Sequence, residues 1–132
     1  MRHYACAILY RDGRILLGRR APHRKAYAGC WDVIGGKVEE GETLEQALHR
    51  ELGEEIGVVP TGPEPLGSIV DHGPQQRGNA TYHMHVVRRW TGAGPVMLDD
   101  EHTALEWFTI DQASALPDLA LAEYAETFRR VG

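Results

Sequence analysis

The sequence predicts an α/β fold, a mixed β-sheet with helices on its faces. Three observations carry that expectation. Apolar or alternating runs at His3–Tyr10, Ile15–Arg19, Leu66–Asp71, Ala80–Trp90 and Ala104–Ile110 have the length and pattern of strands. Two segments, Thr43–Ile56 and Leu119–Val131, place their apolar residues at helical spacing. Strands and helices alternate along the chain, which favours layers over a bundle or an all-β sandwich.

The elements follow in order. Arg11-Asp12-Gly13-Arg14 joins the first two strands, with Asp-Gly as the hairpin signal. Arg20–Cys30 is a basic loop, and Trp31–Ile34 is a short strand that ends at Gly35-Gly36, taken as a sharp turn. Thr43–Ile56 is the first main helix: Thr43 and Gln46 match a capping box, and Gly57 suits the residue that ends a helix. Pro60–Pro65 is a turn and His72–Gly78 a polar loop. Thr91–Pro95 breaks the long strand, Asp99–His102 is an acidic loop, and Asp111–Leu116 is a short helical turn. In the tail, Leu121, Tyr124, Ala125 and Phe128 share a helical face.

At 132 residues the chain, 1–132, is expected to form one domain with a sizeable core. Its 42% hydrophobic and 25% charged content is ordinary for a soluble protein. The run Ala5–Tyr10 is too short for a signal core or a membrane span, so a cytoplasmic protein without a membrane partner is expected. Cys6 and Cys30 have no metal-like spacing and are expected to be reduced. A net charge of −5 argues against a nucleic-acid partner but not against a small polyphosphate, because bound cations invert local charge. Arg19, Arg20, Arg24, Lys25 and Lys37 lie just before the acidic helix.

The chemistry concentrates in Gly36–Val58, GKVEEGETLEQALHRELGEEIGV. Glu51, Glu54 and Glu55 are related as i, i+3 and i+4 and share a helix face. At about 100° per residue, Glu51 and Glu55 fall roughly 20° either side of Leu44, within the packing stripe of Leu44, Ala47, Leu48 and Leu52. Carboxylates turned toward a core are costly unless paired or metal-bound. Hard cations are held by carboxylate oxygens and share them with substrate phosphates. A metal–phosphate site is therefore expected rather than a solvated acidic face.

This stretch resembles the Nudix box. Gly36, Glu42, Arg50, Glu51, Leu52, Glu54, Glu55, Gly57 and Val58 fill its pattern without departure. Seven of those positions demand one residue type, and at roughly one in fifteen each a chance match is on the order of 10⁻⁹ per window. Beyond the box, Arg19-Arg20, Gly35-Gly36-Lys37, Arg89-Trp90, and Glu101 six residues before Trp107 resemble the mutator-type, nucleotide-cleaning branch. One departure is Ile34, where that branch has proline.

The resemblance implies an α/β/α sandwich with the box at residues 36–58 as loop-helix-loop. It implies a Nudix hydrolase that is magnesium-dependent, with manganese as the substitute cation. The substrate would be a nucleoside diphosphate linked to another group, foremost a nucleoside triphosphate, oxidised or not, such as 8-oxo-dGTP. ADP-ribose, a nucleotide sugar, a dinucleoside polyphosphate or capped RNA are the rivals, and a nucleotide-sensing module without catalysis is the alternative from another class. Residue by residue, it implies Arg50, Glu51, Glu54 and Glu55 as the catalytic group. The metal would be held by the Gly35 carbonyl with Glu51, Glu54, Glu55 and Glu101, and Glu51 could instead be the base. Arg20, Gly36, Lys37 and Asp118 would meet the substrate. Each has a structural alternative: a turn for Gly35-Gly36, a salt bridge for Arg50, a helix-opening acid for Glu42, surface charge for Arg20, Lys37 and Glu101. His83 and His85 share a strand face and are expected to pack in the sheet or line the nucleoside pocket; Tyr27, Trp31 and Phe108 could stack on a base or join the core. A monomer or homodimer is expected.

Overall fold

The structure is a computed structural model and describes residues 2–73 and 79–132. Nine strands and three helices follow one another as β1 Arg2–Arg11, β2 Arg14–Arg20, β3 Trp31–Asp32, β4 Ile34–Lys37, α1 Leu44–Ile56, β5 Val59–Thr61, β6 Glu64–Asp71, β7 Ala80–Val87, β8 Arg89–Thr91, β9 His102–Thr109, α2 Ile110–Ser114 and α3 Tyr124–Arg129 among the described residues. The main sheet runs β3-β2-β1-β7-β6, with β4 added to β1 and β9 to β2. It is mixed because β1 and β7 are parallel, Tyr4 opposite Tyr82 and Cys6 opposite Met84, while its other pairs are antiparallel. β5 and β8 form a separate two-stranded ribbon.

Strand β1 shows why the fold has two cores. Successive side chains of a strand point to opposite faces. Cys6 and Ile8 enter the cluster beneath α2 and α3, with Tyr82, Met84, Tyr124 and Phe128. Ala5, Ala7 and Leu9 enter the cluster beneath α1, with Leu48, Leu52 and Ile56. A strand buried on both faces reads as a continuous apolar run rather than an alternating one, as Ala5–Leu9 does. The layers are helix, sheet, helix, as the resemblance implied.

Helix α1 forms as its caps dictate. The Thr43 hydroxyl accepts from Gln46 N at 3.1 Å and Gln46 Oε1 accepts from Thr43 N at 2.9 Å. Gly57, at φ 67°, closes the helix in the left-handed conformation. Three expectations are corrected. Gly35-Gly36 is not a turn: both residues lie in β4, paired with Cys6 and Ala5. The Ala80–Trp90 run is interrupted at Arg88, and its last residues pair with β5 instead. The tail helix begins only at Tyr124, because the chain before it hydrogen-bonds to Trp31: Ala120 N donates to Trp31 O at 2.8 Å and Trp31 N donates to Asp118 O at 2.9 Å. Of the expected loop His72–Gly78, residues 74–78 lie outside the described residues. Cys6 and Cys30 are both free thiols.

Candidate active site

Glu51 and Glu55 project from α1 toward β4 and the loop before β9, and each is constrained differently. The Glu51 carboxyl lies directly over Gly36: a Cβ at Gly36 would stand 2.3 Å from Glu51 Cδ. Only the bare glycine leaves that space. Gly35, at φ 154°, is pressed as closely on the other side, where a Cβ would meet Ala5 O at 2.1 Å. The glycine pair therefore serves close approach within a strand rather than a reversal of the chain.

Arg50 positions these acids. Its Nη1 donates to Glu51 at 2.7 Å, its Nε and Nη2 grip the two oxygens of Glu42 at 2.8 and 2.9 Å, and Nη2 also reaches Lys37 O at 3.0 Å. Glu54 lies 3.5 Å away on the same guanidinium and Glu39 3.7 Å. The Arg50 bonds hold Glu42 down at about 2. Glu42 thus anchors Arg50, beyond opening the helix. Burial pushes the Glu51 pKa up despite Arg50.

Glu55 is 3% exposed, and burial pushes its pKa up to about 10, aided by a hydrogen bond to Glu101 that a protonated carboxyl must donate. Glu101 is lowered by the same bond. Arg24 Nη1 lies 3.4 Å from Glu101 Oε2. Asp99 and His102 flank them: Asp99 Oδ1 is 3.6 Å from His102 Nδ1, and ligand atoms of Glu55, Asp99 and His102 lie within 4.8 Å of one another. Burial pushes His102 down and Asp99 up.

Glu55 and His102 line a narrow cleft that crosses from Gly35 and Gly36 to Arg20, Arg24, Asp32 and the tyrosines Tyr4, Tyr82 and Tyr124. Arg20 Nε donates to Ala26 O at 2.7 Å and its Nη1 to Asp32 at 3.3 Å. Asp32 is 8% exposed, receives bonds from Val33 N and the Tyr124 hydroxyl, and has its pKa raised by burial.

The structure brings Gly35, Gly36, Glu51, Glu55, Glu101 and Arg20 together. Glu54 stands at the rim with an exposed side chain. Lys37 is also exposed and faces a separate hollow with Arg2, His3 and His83. Asp118 pairs with Arg19 at 3.4 Å rather than lining the cleft. Trp31 packs edge-on against Phe108 in the core, and Tyr27 donates to Asp71. His85 is buried with a ring nitrogen 3.2 Å from Cys6 O, and His83 stacks on His3. Sequence reasoning missed Asp32 and His102. An acid directly after a buried Trp and a His directly after Glu101 are the only local signals of either.

The residues fit a divalent cation. Glu55 Oε2 is a buried carboxylate oxygen with no hydrogen-bond partner, an arrangement that is costly without a compensating positive charge. Glu55 shares its cleft with Gly35 and is hydrogen-bonded to Glu101, oxygen neighbours of the kind a hard divalent cation takes.

The NUDIX domain family model matches residues 1–131. A CTP pyrophosphohydrolase of Escherichia coli (strain K12) is 37% identical over 111 residues, covering 84% of this chain and 78% of that one. Nucleoside triphosphatase NudI of the same strain is 43% identical over 56 residues, 42% of this chain and 40% of NudI. A MutT NUDIX hydrolase from Burkholderia pseudomallei superposes with a TM-score of 0.85 at 30% identity, covering 99% and 98% of the two chains.

Proposed function

The chain belongs to the NUDIX family and is a hydrolase, and from that premise we propose a magnesium-dependent pyrophosphohydrolase that cleaves a nucleoside triphosphate to the monophosphate and pyrophosphate. The observation that carries it is Glu55, buried one helical turn beyond the half-buried Glu51 that lies over Gly36, and lining a cleft with Arg20 and Arg24. Glu55 can ionise in its buried position only beside positive charge, the Arg50 clamp is taken by Glu51 and Glu42, and a cation shared with a polyphosphate would supply that charge.

Bound divalent cations would neutralise phosphate oxygens and the charge growing on the leaving group. The protein does the rest. Arg50 fixes the Glu51 carboxyl, and burial makes Glu51 more basic, the direction that suits a group accepting the proton of an attacking water. Arg20 and Arg24 offer cationic walls for the polyphosphate. The tyrosine rings and Asp32 form the end of the cleft that suits a base. A buried carboxylate accepts from an exocyclic amino group, as on cytosine, and the relative named a CTP pyrophosphohydrolase supports a cytosine nucleotide over an oxidised purine.

Product analysis tests this. Wild type and Glu51→Gln are incubated with Mg2+ and CTP, dGTP, 8-oxo-dGTP, ADP-ribose and a dinucleoside polyphosphate. Monophosphate and pyrophosphate from a triphosphate, lost in the variant, are expected. Tight nucleotide binding without turnover of any substrate would mean a sensing module instead.

A further inference from the structure

We infer that Glu55, Asp99 and His102 form a second cation position that favours, over Mg2+, divalent first-row metals able to take an imidazole nitrogen, Co2+ and Zn2+ foremost and Mn2+ less strongly. The inference rests on the proposal above that Glu55 faces a cation. It adds two ligands, Asp99 and His102, that the family resemblance did not supply.

Three observations carry it. The ligand atoms lie within 4.8 Å of one another, close enough to meet one ion. Two of those side chains are more than nine-tenths buried, Glu55 at 3% and His102 at 7% exposed, and Glu55 Oε2 and His102 Nδ1 are both buried without a hydrogen-bond partner. A buried polar atom left unmatched is costly, and one ion between them would satisfy both. The site is also built rather than incidental. Leu98 N donates to Glu55 O at 3.0 Å and Glu101 N to Asp99 Oδ1 at 3.2 Å, so the loop carrying Asp99 and His102 is fastened to the helix end that carries Glu55. The imidazole sits in a slot left by Gly18, where a Cβ would stand 2.5 Å from His102 Cδ2.

The donor set decides the ion. Magnesium takes oxygen ligands and keeps its water, whereas an imidazole nitrogen beside carboxylates suits later first-row metals. Three protein ligands leave room for water or a phosphate oxygen. The competing arrangement is an ordinary ion pair, with a protonated His102 bridging the acids.

Pulsed electron paramagnetic resonance of the full chain loaded with Mn2+ separates the two, since it detects a directly bound nitrogen. A nitrogen coupling is expected in wild type and absent in His102→Gln. Mn2+ affinity, by calorimetry, is expected to fall at least about tenfold in His102→Gln and Asp99→Asn, with Mg2+ affinity changing less. The wild-type spectrum needs no variant to fold. Bound Mn2+ without nitrogen coupling, at an affinity unchanged in both variants, overturns the inference and leaves the pyrophosphohydrolase proposal standing. Mg2+ and Mn2+ affinities that Glu51→Gln and Glu55→Gln leave unchanged overturn both.

Discussion

Arg50 donates to its own chain neighbour Glu51 at 2.7 Å. Adjacent side chains on a helix normally diverge, and the guanidinium reaches Glu51 only because Glu42 grips its other edge through two bonds. Glu42 is thus the anchor from which a long, flexible arginine becomes a rigid clamp. Lysine keeps the charge but not the fork. Arg50→Lys is expected to lower kcat by about 10²-fold with KM little changed, because a displaced Glu51 loses its geometry for the reaction rather than the substrate its binding. Steady-state kinetics on the wild-type substrate decide; a loss confined to KM would place Arg50 on the phosphate instead.

Gly35→Ala and Gly36→Ala should fail in different ways. At Gly36 the added carbon meets a side-chain carboxyl that can swing aside, so activity should collapse while the melting temperature shifts little. At Gly35 it meets backbone at Ala5 O, and overpacking of this kind costs about 1–3 kcal/mol. Thermal unfolding and turnover of the two variants, side by side, separate the roles.

Glu55 links metal, pH and stability. Its folded pKa of about 10 lies above the ordinary carboxylate value of 4.5. The neutral form is the one the fold favours, so this contribution is present below about pH 4.5 and is lost as pH rises toward 10. In EDTA, the melting temperature of Glu55→Gln should therefore exceed that of wild type by a margin that grows from pH 5 to pH 8. Added Mg2+ should raise the wild type more at pH 8 than at pH 5 and raise the variant much less. Equal Mg2+ effects on both proteins would remove Glu55 from the metal shell.

The helix that carries the acids is held by its packing and its cap. Leu48 is fully buried, and Leu48→Ala should cost about 2–5 kcal/mol. Thr43→Ala removes the capping hydroxyl and should cost about 1 kcal/mol. Chemical denaturation measures both; near-equal losses would mean that packing contributes less than its burial implies.

Much of this was legible along the chain because the information is local. Thr43, Gln46 and Gly57 mark the ends of α1, and the seven-residue and eleven-residue offsets from Leu44 to Glu51 and Glu55 turn those acids inward without any tertiary knowledge. Glu54 shows the limit of that arithmetic, since a position at the margin of the stripe is exposed. The remaining features depend on which strands meet. Asp32 enters the cleft because β3 pairs with β2 and Tyr124 arrives from the far end of the chain. His102 is defined by the slot at Gly18, eighty-four positions away. Gly35 and Gly36 mimic a turn in composition, and only their pairing with Cys6 and Ala5 shows a strand.

Strand β1 has a practical consequence for anyone handling the protein. Its residues 5–9 supply both cores, and the carbonyl of Ala5 is the surface against which Gly35 is pressed. The glycine pair beneath Glu51 is thereby bonded directly to the strand that carries both cores. Amides along this strand should be among the slowest to exchange with solvent. Trimming the chain into these residues would take the scaffold and the chemistry away in a single cooperative loss, so a form that stays folded yet silent is better sought at Arg50 or Glu51 than at the N-terminus.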